Sequence, residues 1–221
     1  KVLKGAKKEF QKEFAESTQP SRIDVVADGA PEIEKVTLTV KKKPTFFTKK
    51  DVRPYTYRGV KGDEDYNRFD NEIVDAVNEW NTVFNDKYPP PEPLHPNLVK
   101  AILYQESRVG YDQKAGINIM QVGNVGDPSL KTLRGELKEY WIFEGKEVQL
   151  KYNAHVTNEK ESIRWGTRWL YHKAQENVSQ TRRTWRTWKE AVKRYGPGKE
   201  AYVESVWILY TKGLRREINR M

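Results

Sequence analysis

The sequence predicts a mainly helical domain (α+β) with a small β-hairpin, preceded by an accessory segment. Three observations predict it. Apolar residues recur at spacings of three and four in the stretches near 66–87, 98–106, 163–174 and 202–210. Two strand-like runs, Tyr140-Trp141-Ile142-Phe143 and Val148-Gln149-Leu150-Lys151-Tyr152, flank Glu144-Gly145-Lys146-Glu147, the pattern of a hairpin. Residues 1–60 differ in character and read as an accessory segment, which leaves 61–221 as the main domain.

The accessory segment begins charge-rich, with Leu3, Phe10 and Phe14 forming a thin helical stripe. Ile23 and Val25, then Val36, Leu38 and Val40, alternate with polar residues and predict two short strands around the turn Asp28-Gly29-Ala30-Pro31. Lys41-Lys42-Lys43 and Lys49-Lys50 read as solvated surface. From Tyr66 to about Lys87, residues Phe69, Ile73, Ala76, Val77, Trp80, Val83 and Phe84 predict a core helix, and Asp63-Glu64-Asp65 complements its dipole. The proline-rich stretch 89–93 is a stiff connection.

A second helix follows, with Asn97 as the expected cap and Gly110 as the expected left-handed stop. Leu98, Ile102 and Glu106 fall at i, i+4 and i+8, so Glu106 extends an apolar stripe. A carboxyl group there loses hydration, which favours its protonated form. Such an acid suits general-acid cleavage of a glycosidic bond. The same spacing also fits a carboxylate that ends the stripe and reaches solvent.

Glycines 110, 116, 123 and 126 predict a loop, and Asp127-Pro128-Ser129-Leu130 a turn opening a short helix. Trp141 and Tyr152 on the hairpin suit either packing or stacking on sugar faces. Gly166 inside the next helix predicts close approach of another backbone. Trp185, Trp188, Val192 and Tyr195 share one predicted helical face, which argues for burial over nucleic-acid stacking in the Arg/Trp stretch 181–189. Tyr202, Val206, Leu209 and Tyr210 mark a last helix.

Composition narrows the partners. The 221 residues carry a net charge of +9 and a pI of about 9.4, which favours anionic partners: nucleic acid, acidic membrane or cell-wall polymer. There is no cysteine, and the three histidines form no metal-ligand spacing, so no metal or other cofactor is expected. No apolar run is long enough for a membrane span, and no signal peptide is visible. The chain starts at Lys1, which reads as a mature form or part of a larger chain.

Four segments, in order, resemble the soluble lytic transglycosylase family, whose lysozyme-like fold is related to goose-type lysozyme. Ala101-Ile102-Leu103-Tyr104-Gln105-Glu106-Ser107 resembles its catalytic segment. Ala115-Gly116-Ile117-Asn118-Ile119-Met120-Gln121-Val122 resembles its Gly-Leu-Met-Gln-Ile segment, with Asn118 in place of glycine. Residues 163–170 resemble the helix that follows, and 191–198 resemble its Ala-Tyr-Asn-x-Gly segment, with Gly196 in place of asparagine.

The resemblance implies peptidoglycan as partner and cleavage of the β-1,4 bond between N-acetylmuramic acid and N-acetylglucosamine. Glu106 would be the acid/base, and the product a 1,6-anhydro sugar. It implies substrate contacts from Ser107, Asn118, Met120, Gln121 and Tyr195, with Tyr195 where the family has a tyrosine near the glutamate. It also implies a periplasmic or secreted site of action, as for a processed wall enzyme or a delivered antibacterial effector with a cognate inhibitor. Three alternatives stay open: a hydrolytic muramidase using Asp112 or Asp127 as second carboxylate, a non-catalytic wall-binding module, and a nucleic-acid-binding protein. The last leaves the four ordered segments unexplained, so no nucleic acid is expected.

Overall fold

The computed structural model describes residues 24–27, 45–56, 64–87, 89–137, 140–143, 146–179 and 182–214. The expected N-terminal helix, the second strand at 36–40 and the lysine run at 41–43 lie outside the described residues. The described chain is mainly helical, with two small antiparallel sheets.

Helix α1 (Asp70–Lys87) opens with Asp70 and Glu72, which complement the positive end of its dipole. It buries Ile73, Ala76, Val77, Trp80 and Phe84. It starts four residues later than the apolar spacing predicts. The reason is Asn67, whose side chain pairs with the backbone of Tyr55 (Tyr55 N to Oδ1, 2.7 Å; Nδ2 to Tyr55 O, 3.1 Å) and holds 66–69 as turns.

The same device recurs. Asn78 pairs with both backbone groups of Phe47 at 2.9 and 2.8 Å, and Asn81 with both of Leu94 at 2.8 and 3.0 Å. An asparagine side chain carries a donor and an acceptor side by side, so it can mimic a neighbouring strand. The Asn67 and Asn78 pairings tie residues 45–56 to the helical body, where Val52 and Tyr55 are buried, so that body takes in residues before 61.

Helix α2 (Pro96–Ser107) starts with proline at its first position, where no N–H is needed. His95 is the cap in place of the expected Asn97: its Nδ1 accepts from Asn97 N at 3.1 Å. The Asn97 side chain is drawn instead to Arg53 N (2.7 Å) and Asp51 O. The left-handed stop falls on Arg108 (φ 50°), and Val109 and Gly110 continue it with φ 59° and 79°. Arg108 is held there by its ion pair to Glu64 at 2.7 Å.

The loop after α2 contains a short 3-10 turn (Gln113–Ala115) and leads to α3 (Ser129–Leu133). Strands β2 (Tyr140–Phe143) and β3 (Lys146–Lys151) form the expected hairpin, with Tyr140 opposite Gln149. Strand β1 (Asp24–Ala27) adds to the other edge of β3 and makes a three-stranded sheet in the order β1-β3-β2. Tyr152, just past β3, is 4% exposed and packs edge-on against Trp80 at 5.4 Å. It is a core residue and not a sugar platform.

Helix α4 (Glu159–Ala174) is the centre of the molecule and buries Ile163, Trp165, Trp169, Leu170 and Tyr171. Asn158 caps it by accepting from Glu161 N at 2.9 Å. Arg164 clasps Glu79 of α1 at 2.6 Å. A side chain, not a backbone, accounts for Gly166: a Cβ there would meet Met120 Cβ at 2.6 Å.

The predicted helical face through Trp185 is corrected by a second hairpin, β4 (Gln175–Ser179) and β5 (Arg182–Trp185). Helix α5 (Trp188–Tyr195) begins only after it, at a Thr187–Glu190 capping box. Trp185 still packs on the core, edge-on to Phe84. Helix α6 (Glu200–Lys212) then buries Val203, Val206 and Leu209 and lies against α2.

Candidate active site

A cleft of about 450 Å³ opens where the end of α2, the loop after it, the end of α5 and the start of α6 come together. It is lined by Gln105, Glu106, Gln121, Asn124, Tyr195, Gly196, Pro197 and Tyr202. Glu106 is the one carboxylate among these described residues.

The apolar stripe puts Glu106 there. Leu98 and Ile102 are 1% and 0% exposed, and Glu106, one turn further on, is half-buried at the cleft wall. Burial pushes its carboxyl above the ordinary glutamate value, and one hydrogen bond works the other way. That bond comes from Tyr202, whose hydroxyl donates to Glu106 Oε1. Oε2 has no partner among the described residues.

The tyrosines stay protonated donors. Burial and the nearby Glu106 charge drive both the Tyr202 and Tyr195 hydroxyls upward. Tyr202 stands close to Glu106 because Gly196 leaves room: a Cβ at 196 would lie 2.3 Å from the Tyr202 ring.

The tyrosine that reaches Glu106 is therefore Tyr202 and not Tyr195. Tyr195 lines the same cleft, but its hydroxyl donates to Met120 O at 2.7 Å. Met120 itself is fully buried over Gly166, with its N–H donated to Ser162 Oγ at 2.9 Å. It positions the loop and lines no cleft. Ser107 is 1% exposed: its hydroxyl donates to Leu103 O at 3.1 Å and accepts from Gly110 N at 2.9 Å, closing the helix end.

Asn118 pairs with both backbone groups of Val122 and is a loop brace. Gln121 lies on the cleft wall in a left-handed conformation (φ 53°). Asp112 caps the 3-10 turn through Lys114 N at 3.0 Å. Asp127 accepts from Ser129 N at 2.8 Å and from Gly123 N at 2.9 Å, so both of its oxygens hold backbone. Neither aspartate lines the cleft.

Sequence reasoning missed Tyr202, Gln105 and Asn124 as cleft residues, and took Tyr202 only as core. A signal for Tyr202 was present: the glycine at 196, directly after Tyr195, makes space for a ring. Among the described residues no group of three His, Asp or Glu stands close enough to hold a metal.

No family model matches this chain. Nor does any curated protein or solved structure. The four sequence segments nonetheless meet in space: Glu106 from the first, Gln121 from the second and Tyr195 from the fourth share the cleft, and the third supplies Gly166 beneath Met120.

Proposed function

We propose that the chain is a lysozyme-like lytic transglycosylase that cleaves peptidoglycan strands at the β-1,4 bond between N-acetylmuramic acid and N-acetylglucosamine. The observation that carries the proposal is Glu106, a half-buried carboxyl whose proton affinity is raised by burial, standing as the lone carboxylate among the described residues that line the cleft.

Glu106, protonated, gives its proton to the glycosidic oxygen, and the bond from that oxygen to the anomeric carbon breaks. The carbonyl oxygen of the muramic N-acetyl group bonds to the anomeric carbon and carries the charge that forms. The Glu106 carboxylate then takes the proton of the C6 hydroxyl. The C6 oxygen bonds to the anomeric carbon, and the acetamido oxygen leaves. Glu106 ends protonated, and no water is consumed.

Ordinary glycosidases need a second carboxylate to activate water or to attack. Asp112 and Asp127 hold backbone N–H groups away from the cleft lining, which supports the anhydro route over hydrolysis. Tyr202 would hold Oε1 and leave Oε2 toward the substrate. No helix among the described residues is long and apolar enough to cross a membrane, and a wall substrate implies action in the periplasm or outside the cell.

The test is mass spectrometry of soluble products from purified peptidoglycan. Wild type is expected to release muropeptides ending in 1,6-anhydro-muramic acid, and Glu106→Gln to release them at least about 10²-fold more slowly. Reducing-end products lost in Glu106→Gln would make the enzyme a hydrolase, and no release by wild type would overturn the proposal.

A further inference from the structure

The loop that lines the cleft with Gln121 and Asn124 carries a circuit of three side-chain amides. Asn118 fixes its sense. Its Oδ1 accepts from Val122 N (3.1 Å) and its Nδ2 donates to Val122 O (2.9 Å), so the amide cannot be turned over without facing like against like. Ser162 Oγ adds a second donor to Oδ1 at 3.1 Å. The second Nδ2 proton of Asn118 goes to Asn124 Oδ1 at 2.8 Å, which fixes Asn124. Asn124 Nδ2 then donates to Gln121 Oε1 at 2.8 Å, which fixes Gln121, and Gln121 Nε2 returns to Asn118 O at 2.8 Å.

This leaves a definite remainder. Both protons and both lone pairs of the Asn118 amide are used. Asn124 and Gln121, which line the cleft, each keep one N–H and one carbonyl lone pair among the described residues. Their orientation is set before any ligand arrives. A group that offers one acceptor and one N–H donor fits two such amides. A sugar acetamido group offers that pair on two separate atoms, whereas a sugar hydroxyl must offer both from one oxygen.

We infer that Asn124, locked by Asn118 and paired with Gln121, is a specificity-determining residue that recognises the acetamido group of a bound N-acetylhexosamine. This rests on the saccharide-cleaving function proposed above. A site built to hydrogen-bond a polar group discriminates strongly against an analogue lacking it, because its own polar atoms are then left unpaired.

The test is calorimetric binding to the full chain carrying Glu106→Gln, which binds without cleaving. The probes are penta-N-acetylchitopentaose (chitopentaose) and cellopentaose, two neutral β-1,4 oligosaccharides that differ in acetamido against hydroxyl. The Glu106→Gln protein should prefer chitopentaose by about tenfold or more. Adding Asn124→Ala should remove most of that preference, with cellopentaose binding and melting temperature unchanged, since Asn124 is exposed.

Equal weakening toward both sugars, or none, overturns the inference. So does failure of the Glu106→Gln protein to bind either sugar. Wild-type digestion of peptidoglycan, run in parallel, separates the two ideas. Released muropeptides leave the cleavage proposal standing when the preference is unchanged, and their absence removes both.

Discussion

Lys100 and Glu106 lie on the same helix, and both lose water when the chain folds. They are completed differently. Lys100, 0% exposed, forms an ion pair with Asp70 (2.7 Å) and donates to Asn67 Oδ1 (2.7 Å) and Arg53 O (3.0 Å), with the Tyr55 ring 4.7 Å away. Burial lowers its proton affinity, and Asp70 opposes that. Glu106 has one hydroxyl partner and no cation. Lys100 is matched by an anion and by neutral acceptors, whereas Glu106 is left with one partner and its proton affinity is raised by burial.

The largest expected effect removes the incomplete partner's proton. Glu106→Gln should lower the rate of strand cleavage by about 10²–10⁴-fold, the usual worth of a general acid, while circular dichroism stays unchanged. Next comes the complete pair. Lys100→Met leaves Asp70 buried without its cation and should cost about 3–5 kcal/mol in urea unfolding. Adding Asp70→Leu should recover most of it, because a well-packed apolar pair replaces a buried ion pair at little cost.

A smaller effect tests the frame beneath the cleft. Gly166→Ala improves helix propensity by about 1 kcal/mol, yet its Cβ would overlap Met120. Met120 is tied to Ser162 and cannot retreat, so the overlap should dominate, and unfolding should show a net loss of about 1–2 kcal/mol.

Tyr202→Phe keeps the ring against Gly196 and removes the hydroxyl. That hydroxyl favours the ionised carboxyl, so the Glu106 proton affinity should rise. Activity that requires protonated Glu106 would then persist to higher pH, with kcat lower by about tenfold for the lost positioning bond. An unmoved alkaline limb of the pH–rate profile would contradict the assigned role.

Much of this was legible from local pattern. The i, i+4, i+8 stripe put Glu106 at the edge of the core because helical period alone sets which face a residue takes. The 140–152 hairpin was legible for the same reason at period two. What was not legible depends on partners far along the chain. The Tyr202–Glu106 bond joins positions 96 residues apart, and nothing in the 200–210 spacing distinguishes a tyrosine aimed at a cleft from one in the core.

The asparagine braces were equally hidden, since Asn78 and Asn81 sit inside helix α1 and Asn118 in a loop, and none reads as a brace until the backbone it pairs with is known. The β4–β5 hairpin was misread as helix because Trp185, Trp188, Val192 and Tyr195 keep helical spacing across a strand-to-helix junction. Packing of Trp185 on Phe84 satisfies that burial without a continuous helix.

The most direct test of the contrast is a carboxyl titration followed by carbon-detected NMR, with Glu106 assigned by its absence in Glu106→Gln. The account predicts a midpoint above the ordinary glutamate value, moving higher still in Tyr202→Phe. A Glu106 that titrates at or below that value would contradict it, and with it the reason for assigning this carboxyl to acid catalysis.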